Sequence, residues 1–175
     1  VAVTLKAGPV CLSSSTFAKQ SFTFCVMEDI TVPVDSTGTA VFSDIEICEG
    51  SYLTQTFAVN SRTPNQRYVL PNAGIDTDTI NVIVRETQQS SVKRKFIQYD
   101  SLIGAGKDTP LYFLRETEGE RYELLFGDGV FGVPVEEPNF IEASYLSCSG
   151  ATPNGISSFS FAGRLLDNND NPLTE

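Results

Sequence analysis

With 175 residues, 41% of them hydrophobic, the chain can bury a core of its own, and wholesale disorder is excluded. Its 22 acidic residues against 12 Lys and Arg give a net charge of −10, which repels a nucleic-acid backbone. No apolar run is long enough to cross a bilayer as a helix, and the absence of histidine removes the commonest general base and the commonest metal ligand together.

Residues 1–6 are short and β-branched and read as a strand. They lack the basic flank and apolar stretch of a signal peptide, and with no initiator Met the chain reads as a domain cut from a longer protein. Gly8-Pro9 breaks this strand, and Ser13-Ser14-Ser15 reads as a polar loop. Phe22, Phe24 and Val26 alternate with Ser21, Thr23 and Cys25, the pattern of a half-buried strand. Asp35-Ser36-Thr37-Gly38 is a turn. Residues 39–48 read as the next strand, with Val41, Ile45 and Ile47 on one face, and Glu49-Gly50 turns the chain again. Residues 53–59 form a further strand, and 60–66, with Pro64, a loop.

Tyr68-Val69-Leu70 is a brief strand stopped by Pro71-Asn72. Ile80, Val82 and Val84 alternate as another, and residues 96–99 continue the pairing. Between them, the polar residues 87–91 are either a long hairpin loop or a boundary between two subdomains. Lys93-Arg94-Lys95, the one basic cluster, reads as a solvated strand end or loop, with an acidic partner surface as the functional alternative. Residues 111–116 and 122–126 form a hairpin across 117–120. Residues 141–149 are a long strand ended by Gly150, Pro153-Asn154-Gly155 is a turn, and 157–161 is the last strand, with Phe159 and Phe161 on one side. The polar residues 167–171 read as loose unless a parent chain continues from them.

The organising stretch is Tyr122 to Gly132, Tyr-Glu-Leu-Leu-Phe-Gly-Asp-Gly-Val-Phe-Gly. Tyr122, Leu124 and Phe126 point to one face of a strand, and Glu123 and Leu125 to the other. Gly127-Asp128-Gly129 then turns the chain as a hairpin corner, because a tight turn needs a positive φ that glycine adopts without a Cβ clash. Val130 and Phe131 resume the apolar run, and Gly132 and Pro134 end it. Gly127, Gly129 and Gly132 spell G-x-G-x-x-G, but dinucleotide binding needs a helix directly afterwards, and Val133-Pro134-Val135 cannot open one. Asp128 would also set a negative charge against the phosphates.

No other chemistry emerges. Residues 104–108 lack the Ser or Thr of a phosphate loop after Lys107. Residues 167–171 start like a calcium loop but meet Pro172 where glycine belongs. Glu136 and Glu137 are adjacent, and Asp76 and Asp78 are two apart; both pairs adjoin turn residues, where acids are ordinarily solvated. Cys11, Cys25, Cys48 and Cys148 are widely spaced, with no C-x-x-C pair, and read as buried thiols rather than as zinc ligands or a disulfide framework. Nine prolines and thirteen glycines fall at strand-length intervals. The chain is therefore expected to be all-β, a mainly antiparallel sandwich or barrel with little helix, over residues 1–163, with any subdomain break near 87–95 and a polar tail over 164–175.

Several of these stretches occur in an order that resembles the baseplate J-like family, the wedge proteins of contractile phage tails and related injection machines. They are the 122–132 stretch, Pro134, Ile141-Glu142-Ala143-Ser144-Tyr145-Leu146 and Gly150-Ala151-Thr152-Pro153-Asn154-Gly155. Upstream, Lys6-Ala7-Gly8, Glu49-Gly50 and Tyr68-Val69-Leu70-Pro71-Asn72, then Ile75-Asp76 and residues 80–84, fit the same pattern. Glu137-Pro138-Asn139 departs from it, since the family has a glycine ahead of the Ile141 strand. The resemblance is strongest to the larger wedge proteins of T-even-like myoviruses, of which this chain would be a central or C-terminal β domain, without their flanking helical segments.

The resemblance implies a structural, non-enzymatic component of a virion tail baseplate, assembled in the host cytoplasm. It would bind copies of itself (as a dimer, and as a ring in the assembled baseplate) and other wedge proteins, with no cofactor, metal, nucleic acid or membrane. Its motif residues here are Phe126, Gly127, Asp128, Gly129, Gly132, Tyr145, Asn154 and Gly155, in a structural role. The alternatives are a receptor- or carbohydrate-binding β-sandwich of a tail or adhesin, against which the absence of Trp counts, and a small hydrolase working with paired carboxylates.

Overall fold

The structure, a computed structural model, describes residues 1–13, 20–101 and 103–173. Among the described residues there are fourteen strands and no helix. In chain order they are β1 (Ala2–Leu5), β2 (Gly8–Ser13), β3 (Thr23–Val26), β4 (Ile30–Pro33), β5 (Cys48–Glu49), β6 (Ser51–Ala58) and β7 (Tyr68–Leu70). They continue as β8 (Ile75–Arg85), β9 (Lys93–Gln98), β10 (Leu111–Thr117), β11 (Arg121–Phe126), β12 (Phe140–Ser147), β13 (Phe159–Phe161) and β14 (Leu165–Leu166). The chain is all-β and mainly antiparallel, as the punctuation by glycine and proline predicts; β9 and β10 form a parallel pair. The strands divide into two compact units: residues 1–52 with 148–175, and residues 53–147.

The first unit holds two small sheets, ordered β14-β1-β4 and β13-β2-β3-β5. Leu5 of β1, Val10 of β2 and Val26 of β3 share one buried cluster, against which Phe42, Ile45, Ile47 and Leu165 pack. Several expectations fail here. Gly8-Pro9 does not end a strand but opens β2. Pro9 lies beside a register shift against β3 and ahead of the residues that pair with β13, so its missing N–H breaks no ladder on that side.

Residues 39–48 form no strand apart from the bridge at Ala40 and the start of β5; Asp44 has a φ of 53°, and Val41 is exposed while Phe42 packs inward with Ile45 and Ile47. Cys25 is fully buried, as expected of a buried thiol, and its thiol donates to the Gly50 carbonyl. The four cysteines are thiols, Cys25 buried and the other three partly exposed. The polar residues 167–171 are not loose. β14 pairs with β1, Leu173 N–H donates to Leu165 O, and the Asp167 carboxylate accepts the Asn169 and Asn171 N–H groups at 2.7 and 2.9 Å. Ser14 and Ser15 of the expected polar loop lie outside the described residues.

The second unit is one seven-stranded sheet, ordered β6-β12-β8-β9-β10-β11-β7. Its inner face carries Leu70, Val82, Val84, Phe96, Tyr112, Leu124, Ile141, Ala143 and Tyr145 into one core. Burial raises the Tyr112 phenol to about 12. Residues 86–92 link β8 to β9, an antiparallel pair inside this unit. Where β8 faces β12 the register slips between Ser144 and Leu146. Thr79 fills the slip: its hydroxyl donates to Asp76 O at 2.7 Å and accepts the Leu146 N–H at 3.0 Å.

The sheet curls until its edge strands approach. Four rings cross the inside in edge-to-face contact: Phe57 of β6 on Tyr68 of β7, Tyr68 on Phe126 of β11, and Phe126 on Phe96 of β9, with centroids 5.5–5.6 Å apart. Such pairs add about 0.5–1.5 kcal/mol each beyond area burial. At the seam, the Gln66 side chain stands in for a strand's peptide group. Its Oε1 accepts the Asn60 N–H at 2.9 Å and its Nε2 donates to Ala58 O at 2.8 Å.

Gln66→Ala should therefore lower stability by about 1 kcal/mol in urea unfolding and speed hydrogen exchange at the Asn60 amide. Gln66→Glu, which keeps the acceptor but sets a carboxylate oxygen against the Ala58 carbonyl, should cost at least as much as Gln66→Ala.

Candidate functional site

The stretch singled out in the sequence is a corner at the end of β11. Phe126 ends the strand and sits in the aromatic row. The expected hairpin does not form, because no strand follows the turn. Instead the loop closes on itself, with Gly129 N–H donating to Gly132 O at 3.1 Å. It then ties to the loop ahead of β10: Gly132 N–H donates to Gly106 O at 3.0 Å, and Val133 N–H to Thr109 O at 2.9 Å. Asp128 makes the turn rigid. Its Oδ1 accepts the N–H groups of Val130 and Phe131, both at 2.9 Å, and the Phe131 and Val130 amides hold its carboxyl below the usual carboxylate range.

Two positions admit no side chain. A Cβ on Gly127 would lie 2.3 Å from the Gly132 carbonyl carbon and 2.6 Å from Phe131 O, both backbone atoms. Gly132 has a φ of +83°, and a Cβ there would meet the buried Leu111 at 2.7 Å. The G-x-G-x-x-G spacing thus serves a close crossing of backbone on backbone. Val130 and Phe131 do not resume a buried run; they are 66% and 44% exposed.

The remaining motif residues lie elsewhere. Tyr145, 1% exposed, belongs to β12, and its hydroxyl donates to Asn72 Oδ1 at 2.6 Å. Asn154 and Gly155 form a turn in the first unit, where Asn154 N–H donates to Ala151 O at 3.2 Å. The eight positions are therefore divided between the two units and do not converge on one site.

In each acid pair one carboxylate is engaged by a neighbouring N–H. Glu136 and Glu137 line one open depression with Val59, Ser61 and Arg62. Glu137 accepts the Ser61 hydroxyl at 2.6 Å and its N–H at 3.0 Å, and both bonds hold it below the usual range, so it favours the charged form. Asp76 caps its own strand irregularity by accepting the Asp78 N–H at 3.1 Å. Among the described residues, no group of three or more Cys, Asp or Glu is placed to hold a metal ion.

Sequence reasoning missed the most developed electrostatic feature. Glu123, assigned to the outer face of β11, is 2% exposed. Two arginines cover it there. Arg67 makes a bidentate pair, Nε to Oε1 and Nη2 to Oε2, both at 2.9 Å, and Arg115 adds Nη2 to Oε2 at 2.6 Å. Arg115 sits opposite Glu123 across the β10–β11 hairpin, and β7, which follows Arg67, lies on the other side of β11. The hydrogen bonds from Arg67, with those from Arg115, outweigh desolvation and hold the carboxyl at about 2. The cross-strand pairing of Arg115 with Glu123 was open to inference from the hairpin; the reach of Arg67 was not.

The described residues define an all-β, mainly antiparallel protein with a rigid glycine corner. No family model matches the chain, so membership of the baseplate J-like family is not established. The chain is similar to baseplate wedge protein gp6 of Enterobacteria phage T4, at 23% identity over 171 residues, covering 86% of this chain and 24% of that protein. It thus spans about a quarter of the length of the curated relative it matches.

In urea unfolding, Gly127→Ala should cost about 3 kcal/mol, because backbone must move to admit a methyl group. Gly129→Ala, which meets only ordinary contacts at a φ of +86°, should cost about 1–2 kcal/mol. For the acid cluster, Glu123→Gln should cost about 1–3 kcal/mol at pH 7. Since folding lowers the Glu123 pKa from 4.5 to about 2, its stabilisation is complete above pH 4.5 and is lost as pH falls through 2, so wild type and variant should converge over that window.

Proposed function

We propose that this chain is a structural part of a phage tail baseplate wedge, acting through protein–protein contacts with copies of itself and with other wedge proteins. The observation that carries the reading is the similarity to a T4 baseplate wedge protein along 86% of the chain. The motif order around the glycine corner supports it, and so does the architecture. A wedge element needs rigid β units and surfaces for neighbours, and the corner, the aromatic row and the Glu123 cluster all supply rigidity. In this reading Phe126, Gly127, Asp128, Gly129 and Gly132 fix the end of β11, Tyr145 anchors β12, and Asn154 with Gly155 sets a turn in the other unit. The protein assembles in the host cytoplasm and resides in the virion tail.

Mass spectrometry of purified tails, with labelling of the full-length parent protein, tests this. The parent should be found in the baseplate, and phage lacking it should yield particles without a complete baseplate. A full-length protein that never enters a tail assembly overturns the reading, and specific binding of the chain on a glycan array would favour the receptor-binding alternative.

A further inference from the structure

Asparagine followed by glycine occurs once in the chain, at Asn154-Gly155, and aspartate followed by glycine once, at Asp128-Gly129. Both dipeptides can close the same succinimide ring. In each, the glycine nitrogen attacks the side-chain carbonyl carbon of the residue before it, and glycine obstructs that approach least because it has no Cβ. In a folded protein the ring closes only where the glycine N–H is not held elsewhere and the side chain can swing onto it.

The structure treats the two dipeptides oppositely. At the corner after β11, Gly129 N–H donates to Gly132 O at 3.1 Å, and Asp128 Oδ1 is pinned by the Val130 and Phe131 N–H groups, both at 2.9 Å. The same bonds keep the carboxyl in its charged form, which has no neutral oxygen to expel. In the turn at 151–155, Asn154 and Gly155 are both exposed. Hydrogen bonds hold the backbone on either side of the peptide link between them: Asn154 N–H to Ala151 O at 3.2 Å and Ile156 N–H to Pro153 O at 3.3 Å. Among the described residues, neither the Gly155 N–H nor the Asn154 side-chain amide has a hydrogen-bond partner. Gly155 has a φ of +91°, and nothing lies within 4 Å of where a Cβ would stand, so water reaches this side of the turn.

We propose that Asn154-Gly155 is a site of covalent self-modification, deamidating to aspartate and isoaspartate in the folded protein, and that the fold protects Asp128-Gly129 from the same ring closure. Hydroxide takes the Gly155 amide proton, and the nitrogen forms a bond to Asn154 Cγ. The bond from Cγ to Nδ2 breaks, and that nitrogen takes a proton from water and leaves as ammonia. Water then adds to one of the two ring carbonyls. Opening the ring on one side gives aspartate; opening it on the other gives isoaspartate, with the backbone routed through the former side chain. No oxidant, metal or partner is consumed.

Either product adds a negative charge to an already acidic chain. Isoaspartate also inserts a carbon into the backbone between the buried Pro153 and Ile156, which the present turn bonds to each other. The proposal rests on the geometry of these two turns and stands apart from the wedge reading.

The test is peptide mapping by mass spectrometry of the purified 175-residue chain, aged at physiological temperature, with isoaspartate counted by methylation with an isoaspartyl methyltransferase. The Asn154 peptide should gain the mass of an amide-to-acid exchange, and the rate should rise roughly tenfold from pH 7 to pH 8, as the hydroxide step requires. Isoaspartate at Asp128-Gly129 should be at least about tenfold lower in the native chain and should appear there once guanidinium unfolds the protein and opens the corner. Asn154→Gln, whose longer side chain closes a less favourable ring, should remove the mass gain; circular dichroism checks that the variant is folded. A native chain that keeps Asn154 intact while the unfolded chain loses it overturns the proposal. So does native isoaspartate at Asp128 equal to that at Asn154, or an Asn154→Gln chain that gains mass at the wild-type rate.

Discussion

A seven-stranded sheet that bends until its edge strands meet must fill the inside of the bend, and in residues 53–147 four aromatic rings do so in sequence. Phe57, Tyr68, Phe126 and Phe96 lie edge to face from β6 across β7 and β11 to β9, linking strands far apart in the sheet order. The rest of the unit follows from this row. Phe126 must end its strand at a fixed point, which places the turn at Gly127. The strand edges at β6 and β7 come close enough for one glutamine amide to bridge them. Tyr145 and Tyr112 complete the interior, each with its hydroxyl led to an acceptor, Asn72 for one and the Ile80 carbonyl for the other.

The outer surface is held by a different kind of force. Glu123 lies on the outside of the same strand that carries Leu124 and Phe126 inward, and its carboxylate is paired with two arginines there. Because both arginines remain about half exposed, the cluster combines a covered anion with solvated cations and avoids the full desolvation cost of a buried ion pair. Together with the Asp128 turn, it fixes β11 at its middle and at its end.

Much of this was legible in the residues. Alternation in Ile80-Val82-Val84 and in 122–126, and the turn residues at 35–38, 71–72 and 117–120, correspond to the strands and connections observed. What could not be read has physical causes. β2 opens on Gly-Pro, which signals a break unless the strand has an irregularity there. Residues 39–48 have strand composition, but Asp44 leaves the extended region and Val41 turns out to solvent. β14 is two residues long and exists because β1 offers it an edge, a fact about residues 160 positions away. For the corner, sequence identified the glycines and the acid that caps them, but assigned the spacing to a hairpin. The reason for Gly127 is the backbone of Gly132 passing over it, and no local pattern reports a crossing of that kind.

The order of the strands along the chain has a consequence for biosynthesis. Residues 53–147 are contiguous, so this unit has every strand it needs before residue 148 leaves the ribosome. The other unit does not. β1 and β2 are made first and find β4 and β3 early, but each keeps one edge open until β14 and β13 arrive from the far end of the chain. A nascent chain therefore carries two incomplete sheets through most of its synthesis, and those exposed edges are where premature association between neighbouring nascent chains would begin.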